Sequence, residues 1–393
     1  MTNADLRSDD ASAPGLSALD IERLDMALAF AAEAVGRSDP NPRVGCVLGR
    51  ADGTVIGTGS TQRAGSEHAE AMALRQARAD GAELRGATAW VSLEPCAHQG
   101  RTPPCCDALI EAGIARVVVA ENDPNPLVAG TGLARLRAAG VVVARGQPRH
   151  ALATRELNIG FFSRHERGRP WVRMKIAASL DGRTALPDGR SQWITGEAAR
   201  ADGHAWRRRA GAVLTGIGTV LTDDPRLDVR LVPTHLQPLR VIVDSALRLP
   251  TRARLLQPPG QVWVATASQD AARSVVLHEA GAELQVLPDA TGRVDLQRLI
   301  AELHNHGIHE LHVEAGAGLN GSLLACGLVD ELLVYFAPVL MGPGLAMANL
   351  QPLQSLSVAP RFDLLEVTQL GTDLRLRLRP ATGSRHSVPR RES

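Results

Sequence analysis

Apolar residues in the first 145 positions follow two alternating spacings. Ile21, Leu24 and Leu28 recur every three or four residues, which predicts a helix over 20–34. Two short apolar runs on either side of Asp52-Gly53 predict a hairpin. The segments predicted in this half are strands over 44–48, 55–58, 88–93, 115–120 and 141–144 and helices over 67–79, 104–112 and 132–139. Strands that alternate with helices predict a three-layer α/β/α domain with a largely parallel sheet.

The second half is again rich in short apolar runs, and no internal repeat relates it to the first. Strands are predicted over 171–177, 212–215, 240–244, 261–265, 284–287, 310–313, 331–336, 362–370 and 372–378. A charged segment over 163–170 separates the halves, as is typical of a domain boundary. We therefore predict a disordered tail over 1–16, a first domain over 17–162, a linker over 163–170, a second α/β domain over 171–380 and a mobile tail over 381–393.

Composition narrows the range of functions. A net charge of +1 and an aromatic content of 3% argue against a nucleic-acid-binding surface. No run approaches the roughly 18–20 apolar residues of a membrane span, and the polar start of the chain is unlike a signal peptide. Five cysteines, three of them between positions 96 and 106, indicate metal ligation in a reducing compartment, which predicts a cytoplasmic protein.

A set of metal-binding residue types occupies the first half. It consists of His68-Ala69-Glu70, Glu94-Pro95-Cys96 and Cys105. One imidazole and two thiolates can hold a catalytic Zn²⁺ with an open fourth position, and Glu70 is then free to shuttle a proton. The order of residues fits the H-x-E…P-C-x-x-C pattern of zinc deaminases. A structural zinc site is the alternative, with Cys106 or His98 as a fourth ligand.

The spacing of the cysteines points to one family. Eight residues separate Cys96 from Cys105, where the usual pattern has two. This segment closely resembles the deaminase half of the bifunctional riboflavin-biosynthesis deaminase–reductases, as do the segments over 39–45 and 123–126. The resemblance implies a cytidine-deaminase-like domain in which Cys105 is the ligand; spacing alone does not choose between Cys105 and Cys106. It also implies that Asn41 contacts the pyrimidine, although a turn residue between two prolines is the simpler interpretation.

The second half resembles the reductase domain of the same family. The similar segments lie over 175–183, 191–195, 219–225 and 313–316, so the resemblance spans roughly residues 20 to 380. It implies a dihydrofolate-reductase-like α/β fold. Gly316-Ala317-Gly318-Leu319-Asn320-Gly321 also fits G-x-G-x-x-G after a predicted strand, where backbone amides can cradle a pyrophosphate. The acidic residue that a Rossmann unit carries about 20 positions later is not evident, and a tight strand–helix turn is the alternative.

The resemblance implies roles for further residues. Those expected to contact the cofactor are Ala177, Trp193, Thr219, Asp223, Ser245, Gly316, Ala317, Gly318, Leu319, Asn320, Gly321 and Ser322. Those expected to contact the substrate are Ser191, Arg207, Leu227, Arg230 and Glu314, with the arginines as candidates for its phosphate. Trp193 is alternatively a core aromatic, and each arginine a solvated charge. Lys175 is the only lysine, and we hypothesise that its ammonium contacts substrate or cofactor; codon bias towards arginine is the alternative.

The family implies one Zn²⁺ per chain, NADPH and two successive reactions. The first deaminates 2,5-diamino-6-ribosylamino-4(3H)-pyrimidinone 5′-phosphate. The second reduces the ribosyl side chain and gives 5-amino-6-(5-phospho-D-ribitylamino)uracil. The preference for NADPH over NADH, and a homodimer or higher oligomer, are likewise implied by the resemblance alone. Two alternatives are a different nucleobase deaminase with a regulatory second domain, and a binding module with a structural zinc.

Overall fold

The computed structural model describes residues 15–98, 103–126 and 128–381, and the chain divides into two compact units between Arg167 and Gly168. The segment predicted as a linker over 163–170 does not form a separate connection. A helix continues to Arg167, and the first strand of the next unit starts at Trp171. The tails predicted over 1–16 and 381–393 lie outside the described residues, apart from residues 15, 16 and 381.

The first unit contains a five-stranded sheet in the order β2-β1-β3-β4-β5. Its strands are β1 (Gly45–Gly49), β2 (Val55–Ser60), β3 (Thr88–Val91), β4 (Arg116–Val119) and β5 (Val142–Arg145). Its helices are α1 (Ala18–Glu33), α2 (Ala69–Ala79), α3 (Cys105–Glu111), α4 (Thr131–Ala138), α5 (Pro148–Leu157) and α6 (Ile159–Arg167). The predicted largely parallel sheet is in fact mixed, because β1 of the hairpin lies beside β3 and runs antiparallel to both of its neighbours.

Alternate residues of these strands face two separate cores. Val47 and Trp90 pack on one face of the sheet with Leu24 of α1. Leu48 and Val91 point the other way, into the core shared with α2, α3 and α4. This period-two alternation is what places helices on both sides of the sheet, and the predicted three-layer α/β/α architecture is confirmed.

The second unit contains a nine-stranded sheet in the order β11-β10-β9-β8-β12-β6-β13-β16-β15. Its strands, with a small β7–β14 pair, are β6 (Trp171–Ser179), β7 (Arg183–Ala185), β8 (Ala212–Gly216), β9 (Leu239–Val243), β10 (Val262–Thr266), β11 (Glu283–Val286), β12 (Glu310–Val313), β13 (Glu331–Ala337), β14 (Leu345–Ala346), β15 (Phe362–Leu370) and β16 (Asp373–Pro380). Its helices are α7 (Glu197–Arg209), α8 (Ile217–Asp223), α9 (Ala271–Glu279), α10 (Leu296–Asn305) and α11 (Ala317–Ala325).

The direction of these strands determines where a site can form. The seven strands from β11 to β13 are parallel, and only β16 and β15 are antiparallel. The loops after β6, β8, β9 and β12 therefore meet at one edge of the sheet, where ligands bind in open α/β folds. The α/β class predicted for both domains is confirmed. Among the described residues, no helix is both long and apolar enough to cross a membrane.

Candidate active sites

Three side chains of the first unit come together as a cluster of metal-binding atoms. His68 is the N-cap of α2, Cys96 lies in the loop after β3, and Cys105 is the first residue of α3. His68 Nδ1 lies 3.6 Å from Cys96 Sγ and 3.3 Å from Cys105 Sγ. All three potential ligand atoms lie within 4.8 Å of one another. This donor set fits a zinc ion with three protein ligands and an open fourth position.

Neither of the alternative ligands joins this cluster. Cys106 is fully buried in the apolar core, and its sulfur lies 3.7 Å from the carboxylate of Asp107. His98 lines the adjacent cavity but is not among the clustered atoms. The structure therefore brings together Cys105 and not Cys106, which favours a three-ligand site over a structural four-ligand site.

Glu70 faces the same cavity from the first turn of α2. It is almost fully buried, and burial together with the negative charge of Cys96 raises the pKa of Glu70 to about 7. A hydrogen bond from the Cys105 side chain lowers the pKa of Cys96 to about 4, although burial opposes its ionisation. The raised pKa means that Glu70 can both hold and release a proton near neutral pH. This property suits Glu70 to proton transfer and not to a permanent ion pair.

The cavity beside the cluster has a volume of 420 Å³. Asn41, for which the resemblance implies a pyrimidine contact, lines it, and so do Asp123, Asn125 and Phe161. Asp123 is buried, and burial is the main cause that raises its pKa to about 7. Sequence reasoning noted the Asp123-Pro124-Asn125-Pro126 segment only as a family motif and assigned it no contact.

Glu94 holds this site together in a way that the sequence did not predict. Its buried carboxylate accepts hydrogen bonds from the backbone N–H groups of Asp123, Gly130, Gly132 and Leu133, at 2.9–3.3 Å. The loop that carries Cys96 is thereby tied to the start of α4 and to the loop that lines the cavity. The Glu94-Pro95-Cys96 motif thus combines a positioning carboxylate with a metal-binding thiol.

A second cavity, of 1010 Å³, lies at the carboxyl edge of the sheet in the second unit. Of the eighteen residues expected in this half to bind cofactor or substrate, all but two line it. The lining residues are Lys175, Ala177, Ser191, Trp193, Arg207, Thr219, Asp223, Leu227, Arg230, Ser245, Glu314, Gly316, Ala317, Gly318, Leu319 and Ser322.

The two exceptions, Asn320 and Gly321, lie on the opposite side of α11. Asn320 Nδ2 donates a hydrogen bond to the carbonyl of Met347 at 2.9 Å. A Cβ atom on Gly321 would lie 2.0 Å from the carbonyl oxygen of Asn349. The structure does not bring these two residues to the cavity, because they pack α11 against the loop over 347–349.

The remaining part of the glycine-rich segment opens onto the cavity. Gly316 is the N-cap of α11 and offers no side chain to the N–H groups of the first turn, which have no intrahelical partner. A Cβ on Gly318 would meet no atom within 4 Å, and one on Gly316 would meet Thr219 Oγ1 at 3.6 Å. The helix start therefore presents free donors and open space, which fits a diphosphate.

Arg207 and Glu314 form a largely buried ion pair at the proposed substrate end of this cavity. The Nε and one terminal nitrogen of Arg207 bind the two carboxylate oxygens at 2.8 and 3.0 Å, and the other terminal nitrogen binds the carbonyl of Asp228. Burial would raise the pKa of Glu314, but the Arg207 guanidinium holds it well below its usual value. Arg207 therefore positions Glu314 and has only its remaining N–H groups to offer a phosphate.

Lys175 projects into the cavity from the middle of β6. Its ammonium lies 5.8 Å from the centre of the Tyr335 ring. Burial lowers the pKa of Lys175, while the nearby Glu314 opposes that shift. The sole lysine of the chain is thus an ionisable group that lines the larger cavity, and not a surface charge.

Three other predicted contacts have distinctive surroundings. Trp193 is 67% exposed, which excludes the alternative of a core aromatic, and Arg200 stacks on its ring at 4.8 Å. Leu227 is buried with a φ of 54°, a conformation that a bulky residue adopts only when its surroundings impose it. Arg230 donates to the buried Asp228 at 2.8 Å but remains 44% exposed at the cavity.

Two family models match the chain. The "Cytidine and deoxycytidylate deaminase zinc-binding region" matches residues 19–121, and the "RibD C-terminal domain" matches residues 170–376. The chain is 44% identical to the riboflavin biosynthesis protein RibD of Escherichia coli (strain K12) over 86% of this chain and 93% of that protein. It is 39% identical to RibD of Aquifex aeolicus (strain VF5), over 91% of this chain and 97% of that protein.

Solved structures agree with these matches. Acinetobacter baumannii RibD superposes with a TM-score of 0.83 at 42% identity, covering 93% of this chain and 99% of that one. A diaminohydroxyphosphoribosylaminopyrimidine deaminase/5-amino-6-(5-phosphoribosylamino)uracil reductase from Thermotoga maritima superposes with a TM-score of 0.82 at 33% identity. That match covers 92% of this chain and 99% of the other.

Proposed function

The chain belongs to the RibD family of riboflavin biosynthesis, whose members are zinc-dependent deaminases and NADPH-dependent reductases in one polypeptide, and from this premise we propose which residues carry each reaction. The unit that ends at Arg167 would deaminate diaminohydroxyphosphoribosylaminopyrimidine. The unit that starts at Gly168 would reduce 5-amino-6-(5-phosphoribosylamino)uracil. These are the two activities named for the Thermotoga maritima relative.

One observation carries the deaminase assignment. His68, Cys96 and Cys105 bring three ligand atoms within 4.8 Å of one another, and the buried carboxyl of Glu70 faces the same cavity. When bound there, Zn²⁺ supplies Lewis acidity that makes water a nucleophile at neutral pH. Glu70 would transfer one proton of the attacking water to the ring nitrogen and the second to the amino group, which leaves as ammonia while the water oxygen stays on the ring carbon. Asn41 orients the pyrimidine.

The reductase assignment depends on the edge of the second sheet. When bound, NADPH supplies a hydride for the ribosyl C1′ in its open-chain imine or aldehyde form. The N–H groups at the start of α11 bind the cofactor diphosphate, and Ala177, Trp193, Thr219, Asp223 and Ser245 complete the cofactor contacts. Ser191, Leu227, Arg230 and Glu314 contact the substrate, with Arg230 at its phosphate.

Lys175 has a further role in this scheme. Reduction of a carbon–nitrogen or carbon–oxygen double bond consumes one proton in addition to the hydride. We assign delivery of that proton to the Lys175 ammonium. Its position among the cavity residues beside Glu314, and the lowering of its pKa by burial, support this assignment.

The experiment that tests both assignments follows NADPH oxidation by the purified protein. With the diamino substrate, we expect NADPH to be consumed, and a zinc chelator should stop this consumption. With the already deaminated substrate, the chelator should have no effect. Release of ammonia without NADPH oxidation would leave the deaminase assignment intact and overturn the reductase assignment.

We also propose a homo-oligomer in the cytoplasm. The outermost strand β15 exposes Leu364, Leu365 and Val367, and a partner strand or face that covers them would remove an exposed apolar edge. The described cysteines are all free thiols, as in proteins of reducing compartments. Light scattering on the purified protein tests the oligomer, and a monomeric mass would contradict it.

A further inference from the structure

The loop over 225–230 carries proposed substrate contacts but contains no helix or strand. It lies between α8 and β9, and its residues Arg226, Leu227 and Arg230 line the cavity. Leu227 and Val229 are buried, and the φ of Leu227 is 54°, in the left-handed region that a bulky residue adopts only when its surroundings impose it. The shape of this loop therefore depends on the side chains that hold its backbone.

Two side chains from outside the loop bind its last backbone groups. Gln237 accepts a hydrogen bond from the N–H of Val229 at 2.8 Å and donates one to the carbonyl of Val229 at 2.9 Å. His204 Nδ1 accepts a hydrogen bond from the N–H of Arg230 at 3.2 Å. Neither His204 nor Gln237 lines the cavity. Any effect of these two side chains on a bound substrate must therefore pass through the loop.

His204 belongs to a stripe of residues along α7 that holds neighbouring segments. Arg200, His204 and Arg207 follow one another at helical spacing, so they lie on the same face of the helix. Arg200 Nη1 donates a hydrogen bond to the carbonyl of Thr195 at 2.6 Å, and one terminal nitrogen of Arg207 donates to the carbonyl of Asp228. Helix α7 thus holds two loops that carry proposed cavity contacts, one before it in the chain and one after it.

The charges around His204 explain why a neutral acceptor occupies this position. Burial, followed by the positive charges of Arg207 and Arg230, lowers the pKa of His204 to about 4. The carboxylates of Glu314 and Asp228 oppose this shift but do not cancel it. The imidazole is therefore uncharged at neutral pH, and Nδ1 keeps the lone pair that accepts the N–H of Arg230. An anionic side chain here would instead attract the Arg230 guanidinium that is proposed to bind the substrate phosphate.

We propose that His204 and Gln237 are positioning residues of the reductase, which hold the loop over 225–230 in its binding shape and thereby set the affinity for the phosphorylated substrate. This inference rests on the substrate contacts proposed above. The phosphate at Arg230 takes no part in hydride transfer at C1′, so its binding has the same strength in the ground state and in the transition state. Loss of such uniform binding raises KM and leaves kcat unchanged.

Steady-state kinetics of the full-length protein with NADPH and the already deaminated substrate test the role of His204. Leucine and asparagine have nearly the same shape, but only asparagine offers an acceptor in place of Nδ1. His204→Leu should raise the KM for this substrate about tenfold, the loss expected for one hydrogen bond, with kcat and the KM for NADPH within about twofold. His204→Asn should keep the KM within about threefold of the wild-type value. Equal KM values in the two variants, or a fall in kcat alone, would overturn the role of His204.

Gln237→Met is a second, independent variant, because methionine has a similar length but no donor and only a weak acceptor. It should also raise the KM about tenfold, and it decides the proposal if His204→Leu has a lowered melting temperature. His235→Leu is the matched control, since His235 is exposed in the same segment and does not line the cavity; its KM and kcat should not change. An unchanged KM in Gln237→Met would overturn the positioning role alone. A wild-type protein that does not oxidise NADPH with this substrate would overturn the proposed reductase and this inference together.

Discussion

The deaminase site and the reductase site are assembled over very different distances along the chain. His68 and Cys105, which contact each other in the first, are 37 residues apart. Arg207 and Glu314, which pair in the second, are 107 residues apart. The first site uses a helix N-cap, one loop and the first residue of a second helix. The second site instead collects single residues from the ends of many parallel strands.

This difference determines how each site tolerates change. In the first site, a few adjacent groups carry the chemistry, so one substitution should remove the activity without disturbing the fold. In the second site, the reactive groups also hold distant strands together through buried charges, so a substitution there should affect stability and activity at once. The following predictions test that contrast, beginning with the largest expected effect.

Glu70→Gln should lower the rate of ammonia release about 10²–10⁴-fold, because the amide cannot accept and return a proton. Zinc content should remain at one ion per chain, and reduction of the already deaminated substrate should be unchanged. Glu67→Gln is the matched control, because this half-buried carboxylate directly precedes the metal-binding histidine, pairs with Arg75 and does not line the cavity. Loss of the metal from Glu70→Gln would show that Glu70 is a ligand and not a proton carrier.

Arg207→Met should destabilise the second unit by about 3–5 kcal/mol at neutral pH, because it leaves the largely buried carboxylate of Glu314 without its guanidinium partner. Urea unfolding followed by tryptophan fluorescence measures this loss, because four of the five tryptophans belong to this unit. Arg207→Met/Glu314→Gln should recover most of the loss, because no unpaired charge remains. A double variant as unstable as the single one would show that packing, and not charge, is responsible.

The same pair predicts a pH dependence. In the native protein the pKa of Glu314 lies well below that of an unfolded glutamate. Its ion pair therefore stabilises the fold above a pH of about 4.3, and this contribution is lost as the pH falls through the lowered pKa. In Arg207→Met, burial should raise the pKa of Glu314 instead. The stability difference between wild type and variant should thus shrink on acidification, and a constant difference would contradict this account.

The contrast between the sites also explains what the sequence could predict. Local residue spacing predicts the helix starts at which His68, Glu70 and Cys105 lie. The sequence could therefore predict these three site residues from nearby positions in the chain. No local spacing distinguishes the three arginines over 207–209. In the folded chain Arg207 binds Glu314 and Arg209 binds Glu310, so only tertiary contacts assign them different roles.

The division between the units falls within the charged segment predicted over 163–170. Polar patterning did not indicate that α6 continues through the first half of this segment, with Phe161 and Phe162 buried before it. Likewise, the apolar run of β1 does not encode its direction. Its antiparallel pairing with β3 depends on where the β1–β2 hairpin joins the sheet. Such features require the contacts of the folded chain.

Lys175→Arg should lower the reductase turnover about 100-fold while the affinity for NADP⁺ stays within twofold. Arginine keeps the positive charge but cannot release a proton in a protein. The deaminase activity of the same variant should be unchanged and serves as an internal control for folding of the first unit. Full reductase activity in Lys175→Arg would refute the proton-donor assignment and leave codon bias as sufficient reason for the single lysine.

Two glycines of one helix separate binding from packing within the second site. Gly321→Ala should destabilise the second unit by about 1–3 kcal/mol, because its Cβ would lie 2.0 Å from the Asn349 carbonyl and force α11 away from the loop. Gly318→Ala meets open space, so its stability should change by less than about 1 kcal/mol. Its NADP⁺ affinity should nevertheless fall, because the methyl group projects where the cofactor diphosphate is proposed to bind.

Thermal unfolding and NADP⁺ titration of both variants separate the two effects. Equal stabilities would show that the loop over 347–349 yields to the added methyl group, and unchanged NADP⁺ affinity in Gly318→Ala would argue against a diphosphate at the start of α11.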